Sequence, residues 1–408
     1  MSSSIDSNAD ASTESSLTIP PMSLGISIHF NKPQQNDIEM IASAGFGFVR
    51  TDFAWIFIEK QKGVYDFSGY EDLVDALAEH HLRPVFIPGY GNPLYEHSNK
   101  PHYILGPATD EVQQGYAAFA AQAAAKFQGR GVVWEIWNEP NVPISWEPKP
   151  DVNNYMKLAT TAITAMRQAD ATATIIAPNV TTNLTIPPQG DSDPWKFLTS
   201  CFESGLLEQV DAISIHPYRD NSKPPETAAD DYQRLRGLIA QHASEDKKNL
   251  PIISSEWGYP SAGQLTSQDQ AVYLARQFLT NFINGIPLSI WYDWQEGPNT
   301  NYGIVTSNYK PKPAYHAVQT LTNTLSGFSF VQRLPLPSKD DYVAVFQQGA
   351  VQKLAVWTVA TPHNVTLPVD VNTPFVTSVS LAGDESALAT TRGQLVIQLA
   401  HSPQFVLT

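Results

Sequence analysis

The chain has 408 residues, 42% hydrophobic and 11% aromatic, enough for one large domain with a full core and a smaller module. Only 16% are charged, and a formal net charge of -15 disfavours nucleic acid and anionic membranes as partners. A single cysteine, Cys201, excludes an intrachain disulfide, no apolar run is long enough to span a membrane, and the ten histidines form no cluster with metal-ligand spacing.

Residues 1–20 are polar and low in complexity, without the basic and apolar regions of a signal peptide, and are expected to form a disordered tail. Two localisations stay open: the cytoplasm, or secretion or the periplasm if a preceding signal was removed. From 21 to 326 short apolar runs alternate with helical patterns. Strands are predicted at 24–30, 47–53, 83–88, 132–138, 174–177, 212–216, 251–256 and 288–294. The helices between them fall at 35–44, 68–80, 110–127, 152–169, 194–207, 227–242, 266–284 and 313–325. Ser68 and Asp110 read as N-caps, Gly45 as a helix stop, and Cys201 as a small core residue on its helix. Eight such units predict an α/β fold, a closed (β/α)8 TIM barrel, whose usual size is roughly 250 residues plus insertions. An open doubly wound sheet is disfavoured, because no glycine-rich turn follows the first strand. In 327–408 apolar alternation at 342–346, 353–359, 364–369, 375–381 and 395–399 predicts a small antiparallel β-sandwich packed on the barrel flank.

The stretch Trp134-Glu135-Ile136-Trp137-Asn138-Glu139-Pro140-Asn141 carries most of the chemistry. A strand buried on both faces is uniformly apolar, so a carboxylate at its last position is costly unless it has a use. A second glutamate, Glu256, ends the run Ile252-Ile253-Ser254-Ser255 in the same way, and Trp257 follows it. Two strand-terminal acids far apart in sequence suggest a carboxylate pair facing one sugar, as glycoside hydrolysis requires. In such a barrel the strand C-termini form the active face. Those ends supply His29; Arg50 and then Trp55; Tyr90 and Asn92; Asn138; His216 and Tyr218; Trp257; and Trp291 and Trp294. Flat aromatic faces stack on sugar C–H patches, while amides, histidine and arginine bond hydroxyls. Glu135 shares a strand face with Glu139 but lies deeper, which points to a structural hydrogen-bonded role. Glu296, in the loop after the last strand, is expected to face water.

Over residues 24 to about 325 the sequence resembles the glycoside hydrolases of clan A, and within it family 39 and related cellulase-like endoglycosidases. The likeness rests on 134–141 (WEIWNEPN), 255–259 (SEWGY), His216-Pro217-Tyr218 and the YGNPLY stretch at 90–95. Residues 301–305 (NYGIV) and 311–315 (PKPAY) share the look. The resemblance implies that Glu139 is the acid/base, Glu256 the nucleophile, and Asn138 the partner of the sugar 2-hydroxyl in subsite −1. It also implies that Tyr218 bonds the nucleophile, Arg50 lies beneath it, and Trp291 or Trp294 floors the subsite. Burial beside Trp137 and a second carboxylate would help Glu139 keep its proton, while Arg50 and Tyr218 would keep Glu256 ionised. The partner expected is a carbohydrate, with no cofactor, no metal and no protein partner implied. Three alternatives remain beside hydrolysis: a catalytically silent carbohydrate-binding barrel, a transglycosylase using the same residues, and a phosphate-handling isomerase. The last is disfavoured because the loops after strands seven and eight carry Trp and Glu rather than Gly and Ser.

Overall fold

The computed structural model describes residues 19–32, 36–96, 104–182, 189–297 and 300–407. The expected disordered tail lies outside the described residues up to 18, as does the predicted first residue, 35, of the first helix. Among the described residues the chain runs β1 (Ser23–Ser27), α1 (Asp37–Ser43), β2 (Phe48–Ala54), the short α2 (Trp55–Ile58), α3 (Ser68–Glu79) and β3 (Arg83–Gly89). It continues through α4 (Asp110–Lys126), β4 (Val133–Glu135), α5 (Val152–Ala169), β5 (Thr174–Thr181), α6 (Pro194–Glu203) and β6 (Ala212–His216). The last barrel units are α7 (Ala228–His242), β7 (Ile252–Trp257), α8 (Ser267–Ile283), β8 (Leu288–Trp291) and α9 (Pro313–Leu325). Strands β1 to β8 pair in sequence order, and β1 closes on β8 in parallel, with Leu24 opposite Ser289. The predicted TIM barrel is what forms.

Apolar side chains plug the bottom of the barrel. Phe48, Val85, Val133, Ile176, Ala212, Ile253, Leu288 and Ile290, from β2 through β8, cluster there with Ile19. β1 contributes Gly25 at this level, and packing explains the choice. A Cβ there would lie 2.9 Å from Ile290 Cγ1 and 3.2 Å from Phe48 Cβ, closer than a well-packed core tolerates. Gly45 ends the first helical segment at φ +93°, the left-handed conformation that a glycine adopts without cost. The expected caps shift by one residue. Thr109 caps α4 by accepting from Val112 N, and Phe67 precedes α3, so Asp110 and Ser68 fall inside their helices.

Beyond α9 an antiparallel sheet follows: β9 (Ser329–Arg333), β10 (Asp341–Gln348), β11 (Val351–Thr358), β12 (His363–Pro368), β13 (Phe375–Ser380), β14 (Glu385–Thr391), β15 (Gln394–Leu399) and β16 (Gln404–Leu407). Its strand order is β12-β15-β14-β13-β16-β11-β10-β9. Five of these strands are predicted; β9, β14 and β16 are not, because they are largely polar or very short. Period-two alternation sends β10 both ways. Val343 and Val345 join the module's own core with Leu354, Val356 and Leu395, while Ala344 and Phe346 belong to the barrel's core. Phe346 meets Phe282 of α8 edge-on at 6.4 Å. Deleting the chain after Gly327 would therefore bare an apolar patch on α8. The truncated barrel is expected to aggregate, and a soluble monomer on size-exclusion chromatography would contradict this packing account.

Candidate active site

Arg50 is the hub of the barrel mouth. It points inward from β2, fully buried, and its guanidinium reaches β4, the turn after it, and β7. Nε donates to Glu135 Oε2 at 2.6 Å, Nη1 to Glu256 Oε2 at 2.5 Å, and Nη2 to Asn138 Oδ1 at 2.8 Å. A buried cation needs such partners, since removing it from water is otherwise prohibitive. Burial opposes its charge, but Glu135 and Glu256 outweigh burial and hold Arg50 above its usual value. Glu135, one layer below the mouth, also accepts from Ser214 Oγ at 2.7 Å and Ser255 Oγ at 2.5 Å. Burial would raise its pKa, yet Arg50 leads the opposing causes and leaves it lowered, a fixed anion beneath the site. The structural role read from its parity fits these bonds.

Glu256 reaches the mouth because β7 breaks register with β8 between Ser254 and Trp257. Without that irregularity, alternation would send Ser255 inward and Glu256 outward. Tyr218 OH donates to Glu256 Oε1 at 2.8 Å while Arg50 holds Oε2, so both carboxylate oxygens are fixed. Burial pushes the Glu256 pKa up; Arg50, then His216 and the Tyr218 bond, push harder, and the net shift is downward. An ionised Glu256 follows.

Glu139 stands on a different kind of backbone. β4 ends at Glu135, and Trp137 and Glu139 adopt φ values of 65° and 45°. Left-handed conformations at non-glycine residues persist only where neighbours enforce them. Here Asn179 of β5 does so: its Nδ2 donates to Trp137 O at 2.7 Å and its Oδ1 accepts from Glu139 N at 3.1 Å. No pattern in the sequence marks Asn179, which lies beyond the predicted strand end at 177. The Glu139 carboxylate meets His216 Nδ1 at 2.9 Å, and His216 Nε2 meets Ser255 Oγ at 2.9 Å.

One donor atom each from Glu139, His216 and Glu256 lies within 4.8 Å of the others. These three are also the only metal-competent group among the described residues. Arg50 already places a cation on Glu256, which opposes a metal ion at the same carboxylate.

Above them opens a cleft of about 970 Å³, lined by Glu139, Glu256, Tyr218, Tyr292, Tyr302 and Ile144 among others. Ile144 is 67% exposed. The aromatic faces here are tyrosines, which corrects several expectations. Trp55, Trp137, Trp257, Trp291 and Trp294 are buried in the core and offer the cleft no ring face. Trp55 stacks on Phe119 and donates to Glu59, and Trp137 donates to Ser145 O while backing Tyr90 edge-on at 5.2 Å. Trp291 donates to Tyr302 O, and Trp294 approaches Asp37 at 3.4 Å. Asn92 is buried and bonds the Glu59 carbonyl at 2.9 Å, a loop anchor rather than a sugar contact. Parity on β8 could have found the right ring. Leu288 and Ile290 face the barrel plug, so two residues on Tyr292 faces the mouth and Trp291 faces out.

Tyr90 OH donates to Asp52 Oδ1 at 2.9 Å on the rim. His29, its side chain 58% exposed, pairs with buried Asp293 at 3.3 Å, and that bond raises its pKa. It lines a neighbouring hollow of about 450 Å³ that shares Tyr292 with the cleft. Glu296 does not simply face water. It pairs with buried Lys312 at 2.7 Å. Cys201 is buried and its thiol is pushed up by burial, in keeping with a core residue. No helix among the described residues is long and apolar enough to cross a membrane.

Comparison with known proteins agrees with this geometry. The family Cellulase (glycosyl hydrolase family 5) matches residues 10–297. The chain is similar to a family 39 glycoside hydrolase from the gut symbiont Bacteroides cellulosilyticus WH2, with 25% identity and a TM-score of 0.80. That match covers 95% of this chain and 81% of the other. A monomeric beta-xylosidase from Caulobacter crescentus CB15 shares the fold at 15% identity, TM-score 0.70, over 95% of this chain and 97% of its own. Among curated proteins, the aryl-phospho-beta-D-glucosidase BglH of Bacillus subtilis (strain 168) is 31% identical over 121 residues, 28% of this chain. The chain spans only 25% of that relative's length. With a family match over more than half its length, the chain belongs to the cellulase family, glycosyl hydrolase family 5, within the clan A glycoside hydrolases.

Proposed function

We propose that the chain cleaves β-type (equatorial) O-glycosidic bonds of oligo- or polysaccharides with retention, Glu139 acting as acid/base and Glu256 as nucleophile. One observation carries the reading: a Glu139 oxygen and a Glu256 oxygen lie within 4.8 Å across the mouth. Retaining enzymes hold their carboxyl groups about 5–5.5 Å apart, whereas inverting enzymes leave roughly 6.5–9.5 Å for a water.

In the first step a Glu256 oxygen attacks the anomeric carbon as the glycosidic C–O bond breaks. The bonding pair goes to the leaving oxygen, which takes the proton of Glu139. In the second step Glu139, now a carboxylate, takes a proton from water while that water's oxygen attacks the anomeric carbon. The ester bond breaks, and Glu256 regains its charge. Arg50 and Tyr218 favour that charge and orient both oxygens. Asn138, its Oδ1 held by Arg50, keeps Nδ2 as a donor for the 2-hydroxyl. The cleft, at the upper end of small-molecule sites, has room for more than one ring. Transglycosylation would use the same residues, and the product profile at high substrate concentration separates the two.

The direct test is NMR of the first-formed sugar from an aryl β-glycoside, with Glu256→Gln as control. The retained anomer is expected, and an inverted one would overturn the mechanism. The pH profile should be bell-shaped and indifferent to chelators. Glu256 is depressed, so activity should persist below the ordinary glutamate range of about 4.3 and fall only as pH drops through its lowered value. Tyr218→Phe removes a bond to the ionised form. Its acid limb should move to higher pH, with kcat/KM reduced about tenfold. An unmoved limb in Tyr218→Phe, or loss of activity in chelator restored by a divalent cation, would count against this account.

A further inference from the structure

The accessory sheet reaches further into the barrel than packing requires. Trp357 of β11 is fully buried, and its indole Nε1 donates to Glu226 Oε1 at 2.6 Å. Glu226 sits in the 3-10 turn Pro225–Thr227, before α7, at the far end of the loop that begins at Pro217. Arg276 of α8 grips the same carboxylate with two bonds, Nε to Oε1 at 2.8 Å and Nη2 to Oε2 at 2.7 Å. The turn is thus held between the barrel and the sheet.

From the next residue the hold passes to the cleft. Thr227 Oγ1 accepts from Arg219 Nε at 3.0 Å, and Arg219 Nη1 donates to the carbonyls of Pro217 and Tyr218, each at 3.0 Å. Arg219, Asp220, Asn221 and Ser222 line the cleft, and Tyr218 bonds Glu256. The run from the indole to the cleft is direct hydrogen bonds plus one peptide step. An indole N–H also needs a partner when buried, but any backbone carbonyl would satisfy it. A charge-assisted bond to a loop carboxylate does more, because it ties the sheet to a turn that Arg276 otherwise holds from the barrel side alone.

We propose that Trp357 is a positioning residue: through Glu226 the accessory sheet fixes the 217–227 loop that forms one wall of the substrate cleft. The inference rests on the reading of that cleft as the sugar site. Trp357→Phe keeps an aromatic ring against Tyr342 (centroids 4.7 Å apart in the unaltered protein) and removes the N–H together with the volume of one fused ring. Hydrogen exchange of the 217–227 amides should then rise, and KM for a β-linked oligosaccharide should increase about tenfold with kcat within about threefold. Trp357→His, which retains a ring donor, should recover part of the loss. Leu395→Ala loosens the sheet's own core without touching Trp357 or Glu226, and should lower Tm while leaving KM unchanged. In the unaltered protein the Trp357 indole proton and the loop amides should exchange with matching protection, a measurement that needs no variant to fold. Independent opening of the two, or unchanged loop exchange in Trp357→Phe, overturns the proposal. Faster loop exchange with an unchanged KM supports the clamp and faults the assignment of the cleft instead.

Discussion

Glu256→Ala should lose turnover by roughly 10⁴–10⁶-fold, the scale of removing a nucleophile from an enzyme that forms a covalent intermediate. The loss has a chemical cause, because no other carboxylate can take the role. Glu135 is a layer deeper and already accepts from Arg50, Ser214 and Ser255. Glu139 lies on the acid side, against His216. The fold should survive the change, since Arg50 keeps its bonds to Glu135 and Asn138. Circular dichroism alike in variant and wild type would separate lost chemistry from lost structure. Azide added to Glu256→Ala can enter the vacated space and attack the anomeric carbon from the nucleophile's side. The product then is a glycosyl azide of inverted configuration, which would identify the missing group. Activity within about tenfold of wild type would sink the assignment.

The sequence carried the barrel and the two acids because both depend on local pattern. Uniformly apolar runs marked strands covered on both faces, and helical periodicity filled the gaps between them. Glu139 and Glu256 stood out as carboxylates where apolar residues belong. The remaining site was harder to read for three separate physical reasons. Tryptophans near the strand ends looked like sugar platforms, yet large rings are also what a barrel's outer core demands, and Trp291 faces that core one residue from Tyr292. Asn179 acts on the positive-φ turn at Trp137 and Glu139, a backbone feature that no periodicity announces. Trp357 bonds a glutamate 131 residues away, and only the tertiary fold brings the two together. The accessory sheet was partly legible for the converse reason. Strands with alternating apolar residues could be read, whereas polar β14 and four-residue β16 gave no signal.

Glu139→Ala should separate the two halves of the reaction, and the expected result depends on the leaving group. Protonation matters most when the departing oxygen is basic. An unactivated glycoside should therefore lose about 10²–10⁴-fold in rate, the worth of a positioned acid. A dinitrophenyl glycoside needs little protonation, so Glu256 should still attack it at nearly the normal rate. Hydrolysis of the resulting ester then stalls, because water has lost its base. The variant should show a burst of phenolate followed by slow turnover, and intact mass spectrometry should find one glycosyl unit added to the protein. Azide needs no base to attack, so it should restore the steady rate and yield a glycosyl azide of retained configuration. That stereochemistry is opposite to the product expected from Glu256→Ala, and the pair of variants therefore checks both roles with one reagent. His216 adds a further constraint, since its Nδ1 contact with Glu139 is lost in the alanine variant while its Nε2 contact with Ser255 remains. The imidazole then borders the vacated space. If Glu139→Ala gave no burst, no adduct and no response to azide, the acid/base would have to be sought elsewhere, with His216 the first residue to replace.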